Sequence, residues 1–456
     1  MIAGLARWLD ERLGGSGVVL QLMNKIFPDH WAFYLGEFAL YSFIMLVATG
    51  IWLALAFVPS QATVIYHGPY LPLEGTPVAE AFASVLAISL TSPLGLFFRQ
   101  LHHWAAVVFL AAIILHLARI FFTGAFRKPR EINWVIGFTL LVLAAATGFT
   151  GYSLPYDALS GTGLRIAISV VNAVPLIGPW LANAASGGPF GSPQLIPRFF
   201  VLHVYYLPLA IGLLIGIHLA IVVRQKHAQF RSATARDDNV VGRRLWPDYA
   251  LRSLAVGATL AAVLAGLATF ITINPIWHYG SYRPWEVPAP AEPDWYAGFL
   301  DGALRLGPAA SVPLGPYTIA SIFWPGVLMP AVVLGVLYAW PWIDAAFTRD
   351  RAAHSMLQTP LDVPWRTGFG VAILMAALIL TLAASDDVQA SVFRVSLTGL
   401  TIFYRWFLLV GSLGAGFGAV AIAYLLRARV TAPAPERIVD LLRTESGGFR
   451  ERESST

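Results

Sequence analysis

The segment RQLHHWAAVVFLAAIILHLAR, Arg99 to Arg119, decides the fold. A histidine pair and a single histidine, each three residues from an arginine, bracket an uninterrupted apolar stretch. A transmembrane helix needs about 20 predominantly apolar residues, and ionisable groups inside one are costly enough to mark function. Seven comparable stretches surround this one, giving eight candidate spans near 32–57, 100–122, 134–154, 199–223, 250–273, 318–343, 367–384 and 402–426. The 456 residues are 57% hydrophobic and only 12% charged, where a soluble domain carries about 25% charged residues. This balance predicts an all-α polytopic membrane protein. Zero Cys excludes thiolate-held metals, Cys-ligated iron–sulfur clusters and covalent C-x-x-C-H haem. The chemistry must therefore use His, carboxylates, aromatics or a bound cofactor.

Lys and Arg alternate with the spans. One side carries 21 of them in its loops and tail, and the other carries Arg165, Arg283, Arg305 and Arg394. The positive-inside rule then places both termini in the cytoplasm, in a cell (plasma) membrane, as an even number of spans requires. The +5 net charge is thus a topology signal and gives no nucleic-acid-binding face. The N-terminus, with Asp10, Glu11 and Lys25, lacks the pattern of a cleaved signal peptide. The long outer loops, 58–98, 155–197 and 274–317, are rich in Pro and Gly. Their short apolar runs at 79–90 and 164–174 suit helices lying on the membrane domain.

His102 and His116 are 14 residues apart in span two, and His203 and His218 are 15 apart in span four. At 3.6 residues per turn these spacings miss whole turns by about 40° and 60°, so each pair shares a face, with members about 21–22 Å apart. The two spans run in the same direction, so His102 is level with His203, and His116 with His218. Each level offers two imidazoles to one iron, an arrangement suited to electron transfer because no coordination position stays open. His103, about 100° from His102, reads as a non-ligand. Gly36 and Gly50 in span one and Gly137 and Gly151 in span three repeat the 14-residue spacing, and glycine lets a flat macrocycle approach the backbone. Helix packing alone also enriches glycine in membranes. Arg99, Arg119 and Arg198 flank the histidines where haem propionates would emerge, and guanidinium pairs well with carboxylate.

With these residues in place, the chain resembles cytochrome b of respiratory cytochrome bc complexes. The resemblance rests on R-x-L-H…H-x-x-R (Arg99–Arg119), G-Y-x-L-P (Gly151–Pro155), R-F-F-x-x-H (Arg198–His203) and Pro293-Asp294-Trp295-Tyr296, and it covers about residues 20–430. The stretches RQKHAQF (224–230), NVVG (239–242), INPIWHYG (273–280) and DGALRL (301–306) are similar to the actinobacterial branch. The resemblance implies a quinol:cytochrome c reductase subunit with two non-covalent haems b. His102 and His203 would hold the outer haem iron, and His116 and His218 the inner. Asp294, Tyr296 and Tyr152 would form a quinol-oxidising site, with menaquinol as substrate. A Rieske iron–sulfur subunit and a dihaem c-type cytochrome would be partners, a terminal oxidase a further one, and the complex a dimer in membrane lipid. Where the family commonly has P-E-W-Y, this chain has Asp294. Where the mitochondrial pattern has an acid at the start of span five, it has Arg252–Ser253. The inner quinone site is therefore read only from cytoplasmic-side residues, namely Arg224, Lys226, His227 and His30. A proton-accepting carboxylate suits quinol oxidation; taken alone, Asp294 also reads as a turn or helix cap.

The expected organisation is a cytoplasmic segment 1–31, a dihaem four-helix domain 32–230 made of spans one to four, a C-terminal membrane domain 231–430 with the Asp294 loop, and a cytoplasmic, partly disordered tail 431–456. A dihaem anchor for a dehydrogenase or hydrogenase, and a proton-coupled transporter, are the alternatives. The anchor predicts fewer spans and no Pro-Asp-Trp-Tyr loop; the transporter predicts no haem.

Overall fold

A computed structural model describes residues 8, 10–12, 14, 16–286, 293–431, 440–443 and 449–452. Among the described residues seven helices are long and apolar enough to cross a membrane: Trp31–Ala56, Gly95–Phe122, Glu131–Ser153, Leu195–Gln225, Leu245–Phe270, Pro364–Ala383 and Leu397–Ala428. The helix pair Trp324–Tyr338 and Trp340–Thr348, bent by 59°, makes an eighth if it is counted as one broken span, the sixth in chain order. The sequence predicts span six as 318–343, but Tyr317–Ile319 pairs as a strand with Val312–Leu314 and the helical part runs on to Thr348. Pro341 enters the second half at its first turn. Proline in a helix interior removes a hydrogen bond and clashes with the preceding turn, so the helix restarts there in a new direction.

Spans one to four contact one another in a ring, and span five packs against spans one and two. Spans seven and eight pack against each other, and both contact the short helix Gly298–Leu306. The bundle interior is filled by Phe109, Leu110, Ile113 and Leu117 of span two, Phe138 and Ala144 of span three, and Ile211 of span four. A second core, with Phe82, Leu86, Leu164, Ile196 and Ile276 fully buried, closes the other end. It is made by the short helices Glu80–Leu90, Ala158–Asn172 and Gly178–Ser186 together with the 274–282 segment. Asp157 starts the Ala158–Asn172 helix, its Oδ1 accepting the Leu159 and Ser160 N–H at 3.0 and 3.2 Å. Ser160 Oγ in turn accepts the Asp157 N–H at 3.0 Å, so donors at this buried helix end are satisfied. Most of the 431–456 tail lies outside the described residues; within it Asp440–Arg443 pairs antiparallel with Phe449–Arg452.

Arg366 of span seven and Asp344 of span six are both buried and pair at 3.5 Å, with Arg366 also donating to Gln358 Oε1 at 2.7 Å. Removing one partner of a buried pair leaves an uncompensated charge, at a cost of about 3–5 kcal/mol. Asp344→Ala is expected to lower the melting temperature of the detergent-solubilised protein, and Asp344→Asn to do so less.

Candidate functional site

Span four carries the first feature that shapes the site. Its turn Leu202–Tyr206 is a π-turn, and Pro208 follows at the start of the regular helix. A π-turn accommodates one extra residue in a helix. The 15 residues from His203 to His218 therefore advance the helix about as far as the 14 from His102 to His116. The pairs meet level by level: ring centroids of His102 and His203 are 6.2 Å apart, and those of His116 and His218 are 6.4 Å apart.

Hydrogen bonds fix which nitrogen faces inward at the outer level. His203 Nδ1 donates to the Thr147 carbonyl at 2.9 Å. Thr49 donates its hydroxyl to the Met45 carbonyl at 2.7 Å and so accepts from His102 Nδ1 at 2.9 Å. Both rings are thereby held with Nε2 unprotonated, the state a metal ligand requires. At the inner level His116 Nδ1 and His218 Nδ1 are buried without a hydrogen bond of good geometry.

Each ring lies against a glycine of the neighbouring helix. A β-carbon on Gly36 would sit 3.2 Å from His116 Cε1, on Gly50 3.2 Å from His102 Cε1, and on Gly137 3.6 Å from His218 Cε1. On Gly151 it would come within 3.0 Å of His203 Nδ1. The sequence reading gives these glycines to the approach of a macrocycle; in the structure their first neighbour is an imidazole. Gly151→Ala is expected to displace His203 and broaden or diminish the absorption of a chromophore held between His102 and His203, while Gly137→Ala leaves the spectrum unchanged. Difference spectra of the two variants check this.

Among the described residues no group of three or more His, Cys, Asp or Glu converges on a metal. Two opposed imidazoles leave the other coordination positions of a metal to non-protein ligands, which a metallated macrocycle brings with it. Half the centroid separation also accommodates a ring radius and a metal–nitrogen bond of about 2.1 Å. Arg99 Nε and Nη2 and Arg119 Nε and Nη2 are buried and unpartnered, one pair in the wall of each cavity. Buried guanidinium nitrogens without acceptors call for an anionic partner, and propionates are such partners. The residues fit two haems.

The outer cavity, about 260 Å³, brings Arg99, His102, His203, Tyr152, Asp294 and Tyr296 together with Gly50 and Gly151. Tyr296 reaches it because Gly148 has no side chain: a β-carbon there would lie 2.8 Å from the tyrosine hydroxyl. The Asp294 carboxyl is pushed up to about 6, chiefly by burial, with the Tyr296 hydroxyl pulling it back down and Asp157 raising it. His103, set aside as a non-ligand by its angle, lines this cavity with Nε2 3.9 Å from Asp294 Oδ1. Arg198 is not brought here; its Nη1 donates to the Ala184 carbonyl at 2.5 Å in the overlying helices.

The inner cavity, about 320 Å³, brings Gly36, Arg119, Gly137, His116 and His218 together with Lys226 and His227. Arg119 lies over the Phe33 ring, 4.2 Å from its centroid. His227 is pushed down to about 4, first by burial and then by Arg119, so it is neutral at pH 7. Arg224 and His30 do not line the cavity; His30 Nδ1 accepts from the Ala32 N–H, and its ring packs 4.3 Å from Phe230. Sequence reading misses Glu37 and Tyr249, which line the cavity and share a 2.5 Å hydrogen bond.

Paired intramembrane histidines at two levels, one of them beside a carboxylate-bearing cavity, are an arrangement suited to an integral-membrane haem protein. The sequence model of the family described as cytochrome b(N-terminal)/b6/petB matches residues 107–281. The cytochrome bc1 complex cytochrome b subunit of Corynebacterium efficiens is 46% identical over 409 residues, spanning 90% of this chain and 75% of its own. Those of Mycobacterium tuberculosis and Streptomyces coelicolor are 46% and 42% identical over 402 and 427 residues, spanning 88% and 93% of this chain and 73% and 78% of theirs. The chain belongs to this family, the cytochrome b subunits of cytochrome bc1 complexes, and is a subunit of a quinol:cytochrome c oxidoreductase. A solved structure, "Hyperthermophilic respiratory Complex III", shares the fold at TM-score 0.69 and 21% identity, covering 92% of this chain and 98% of that one. The anchor and transporter alternatives fall with this membership.

Proposed function

We propose that the chain oxidises menaquinol in the outer cavity and reduces quinone in the inner one, within a plasma-membrane complex whose b subunit has both termini in the cytoplasm. The observation that carries this reading is the convergence of His102, His203, Asp294, Tyr296 and Tyr152 on one cavity. Two haems b, one held by His102 and His203 and the other by His116 and His218, supply one-electron carriers at two levels when bound. Asp294 accepts a proton from a quinol hydroxyl, and a carboxyl poised near neutral pH suits that role. Tyr296 and Tyr152 wall the ring, and Arg99 and Arg119 neutralise propionate charge at the two levels.

Of the two electrons from quinol, one leaves for a Rieske iron–sulfur subunit and then a dihaem c-type cytochrome, with a terminal oxidase as the wider assembly. The other moves from the outer level to the inner. This is opposed by about 2.3 kcal/mol per 100 mV over the full membrane potential, and quinol oxidation supplies the difference, adding to proton-motive force. Two such complexes form a dimer. Reduction of cytochrome c by the purified complex with a menaquinol analogue is the test; a haem-replete complex that fails to reduce cytochrome c contradicts the reading.

A further inference from the structure

The inner cavity holds a carboxyl–phenol pair that the function above leaves unused. Glu37, next to Gly36 in span one, is the sole acidic residue among the described residues lining this cavity. Tyr249, in the first turns of span five, donates its hydroxyl to Glu37 Oε1 at 2.5 Å, while Glu37 Oε2 is buried without a partner. Ser253, one turn beyond Tyr249, lines the same cavity and shares a 2.9 Å hydrogen bond with Tyr41. Leaving a buried polar atom unsatisfied forfeits its hydration with nothing in return. The open Oε2 is therefore matched to a group that enters the cavity. A protonated carboxyl in that position is a hydrogen-bond donor, and what it seeks is a carbonyl-type acceptor.

The outer cavity contains the same set in different residues. There, too, one carboxylate lines the wall beside a histidine pair, with a tyrosine turned toward it and a further histidine nearby: Asp294, Tyr296 and His103. In the inner cavity the set is Glu37, Tyr249 and His227. The two members of the inner pair are 212 residues apart in the chain, so packing of span five against span one creates it.

We propose that Glu37, braced by Tyr249, hydrogen-bonds a quinone carbonyl in the inner cavity and gives it a proton on reduction. The proposal rests on the inner cavity being the quinone-reducing site. Reduction of a quinone to a quinol consumes two electrons, supplied by reduced b-type haem, and two protons. At the carbonyl beside Glu37 the carboxyl O–H breaks and a quinol O–H forms, and the Tyr249 hydroxyl keeps its hydrogen bond to the carboxylate left behind. The far carbonyl takes its proton from solvent at the Lys226–His227 end of the cavity. Glu37 recovers its own proton from solvent by the same route.

The complex is purified with Glu37→Gln and Tyr249→Phe chains, each in an Asp294→Asn background so that the outer cavity does not contribute. The haems are reduced, excess reductant is removed, and menadione is added while the b-haem absorbance is followed. With equal haem content, Glu37→Gln is expected to slow reoxidation by about 10²-fold and Tyr249→Phe by less. Redox-difference infrared spectra with carbonyl-labelled menadione give a readout independent of turnover: the quinone carbonyl band moves in Glu37→Gln. Unchanged reoxidation together with an unmoved band overturns the role of Glu37 alone. If the parent carrying only Asp294→Asn is not reoxidised, the inner-site reading falls and takes the proposal with it. If Glu37→Gln loses haem, Tyr249→Phe decides, and a parental rate and band there overturn the proposal.

Discussion

Replacing Asp294 by Asn is expected to lower quinol:cytochrome c turnover by about 10²-fold or more, the contribution typical of a positioned general base, with haem content unchanged. Asn keeps the size and a hydrogen-bonding oxygen but cannot take a proton, so binding survives better than turnover. The pH dependence follows from the same carboxyl. Burial raises it from 3.8 to about 6, and only the ionised form accepts a proton. Wild-type turnover is therefore expected to rise as pH climbs through about 6 and to fall below it, where the carboxyl is already protonated. Asp294→Glu, which restores the residue type common in the family, is expected to recover much of the rate. Steady-state assays between pH 5 and 8 on the three proteins check the prediction, and a parental rate in Asp294→Asn removes this residue from the chemistry.

Replacing His218 by Leu is expected to remove one haem and leave the other. His218 faces His116 alone, while His102 and His203 sit at a separate level with their own Thr49 and Thr147 hydrogen bonds. The surviving haem is expected to keep the two-imidazole signature of the outer pair. Quinone reduction at the inner cavity is expected to stop, because its one-electron carrier is gone. Pyridine haemochrome and low-temperature spectra of the purified variant read both outcomes; retention of both haems refutes the assignment of levels.

Much of this was legible in the sequence, because membrane helices announce themselves by length and composition, and ligands within one helix keep a fixed spacing. Seven long spanning helices, the bent helix pair in the place of span six, and the facing of His102 with His203 and of His116 with His218 follow from those two rules. The π-turn at Leu202–Tyr206 was not legible: Pro208 and the odd spacing of 15 are its only traces, and neither says that a residue has been inserted. Pro341 signals the break in span six more openly. Arg198 looks like Arg99 and Arg119 in sequence, yet the helix Gly178–Ser186 offers it the Ala184 carbonyl first.

Contacts between distant segments were the least visible. An angle on span two correctly asks whether His103 shares the face of His102 and His116. It cannot reveal that the 293–296 loop folds back to set Asp294 3.9 Å from it. Glu37 and Tyr249 each sit in an apolar helix with no local pattern to single them out, and only the packing of span five against span one brings them together.

The central claim is that four histidines on two helices hold two haems, one above the other. Pyridine haemochrome analysis of the purified wild-type protein, set against protein concentration, tests it most directly. The account predicts two haems b per chain; fewer than two contradicts it.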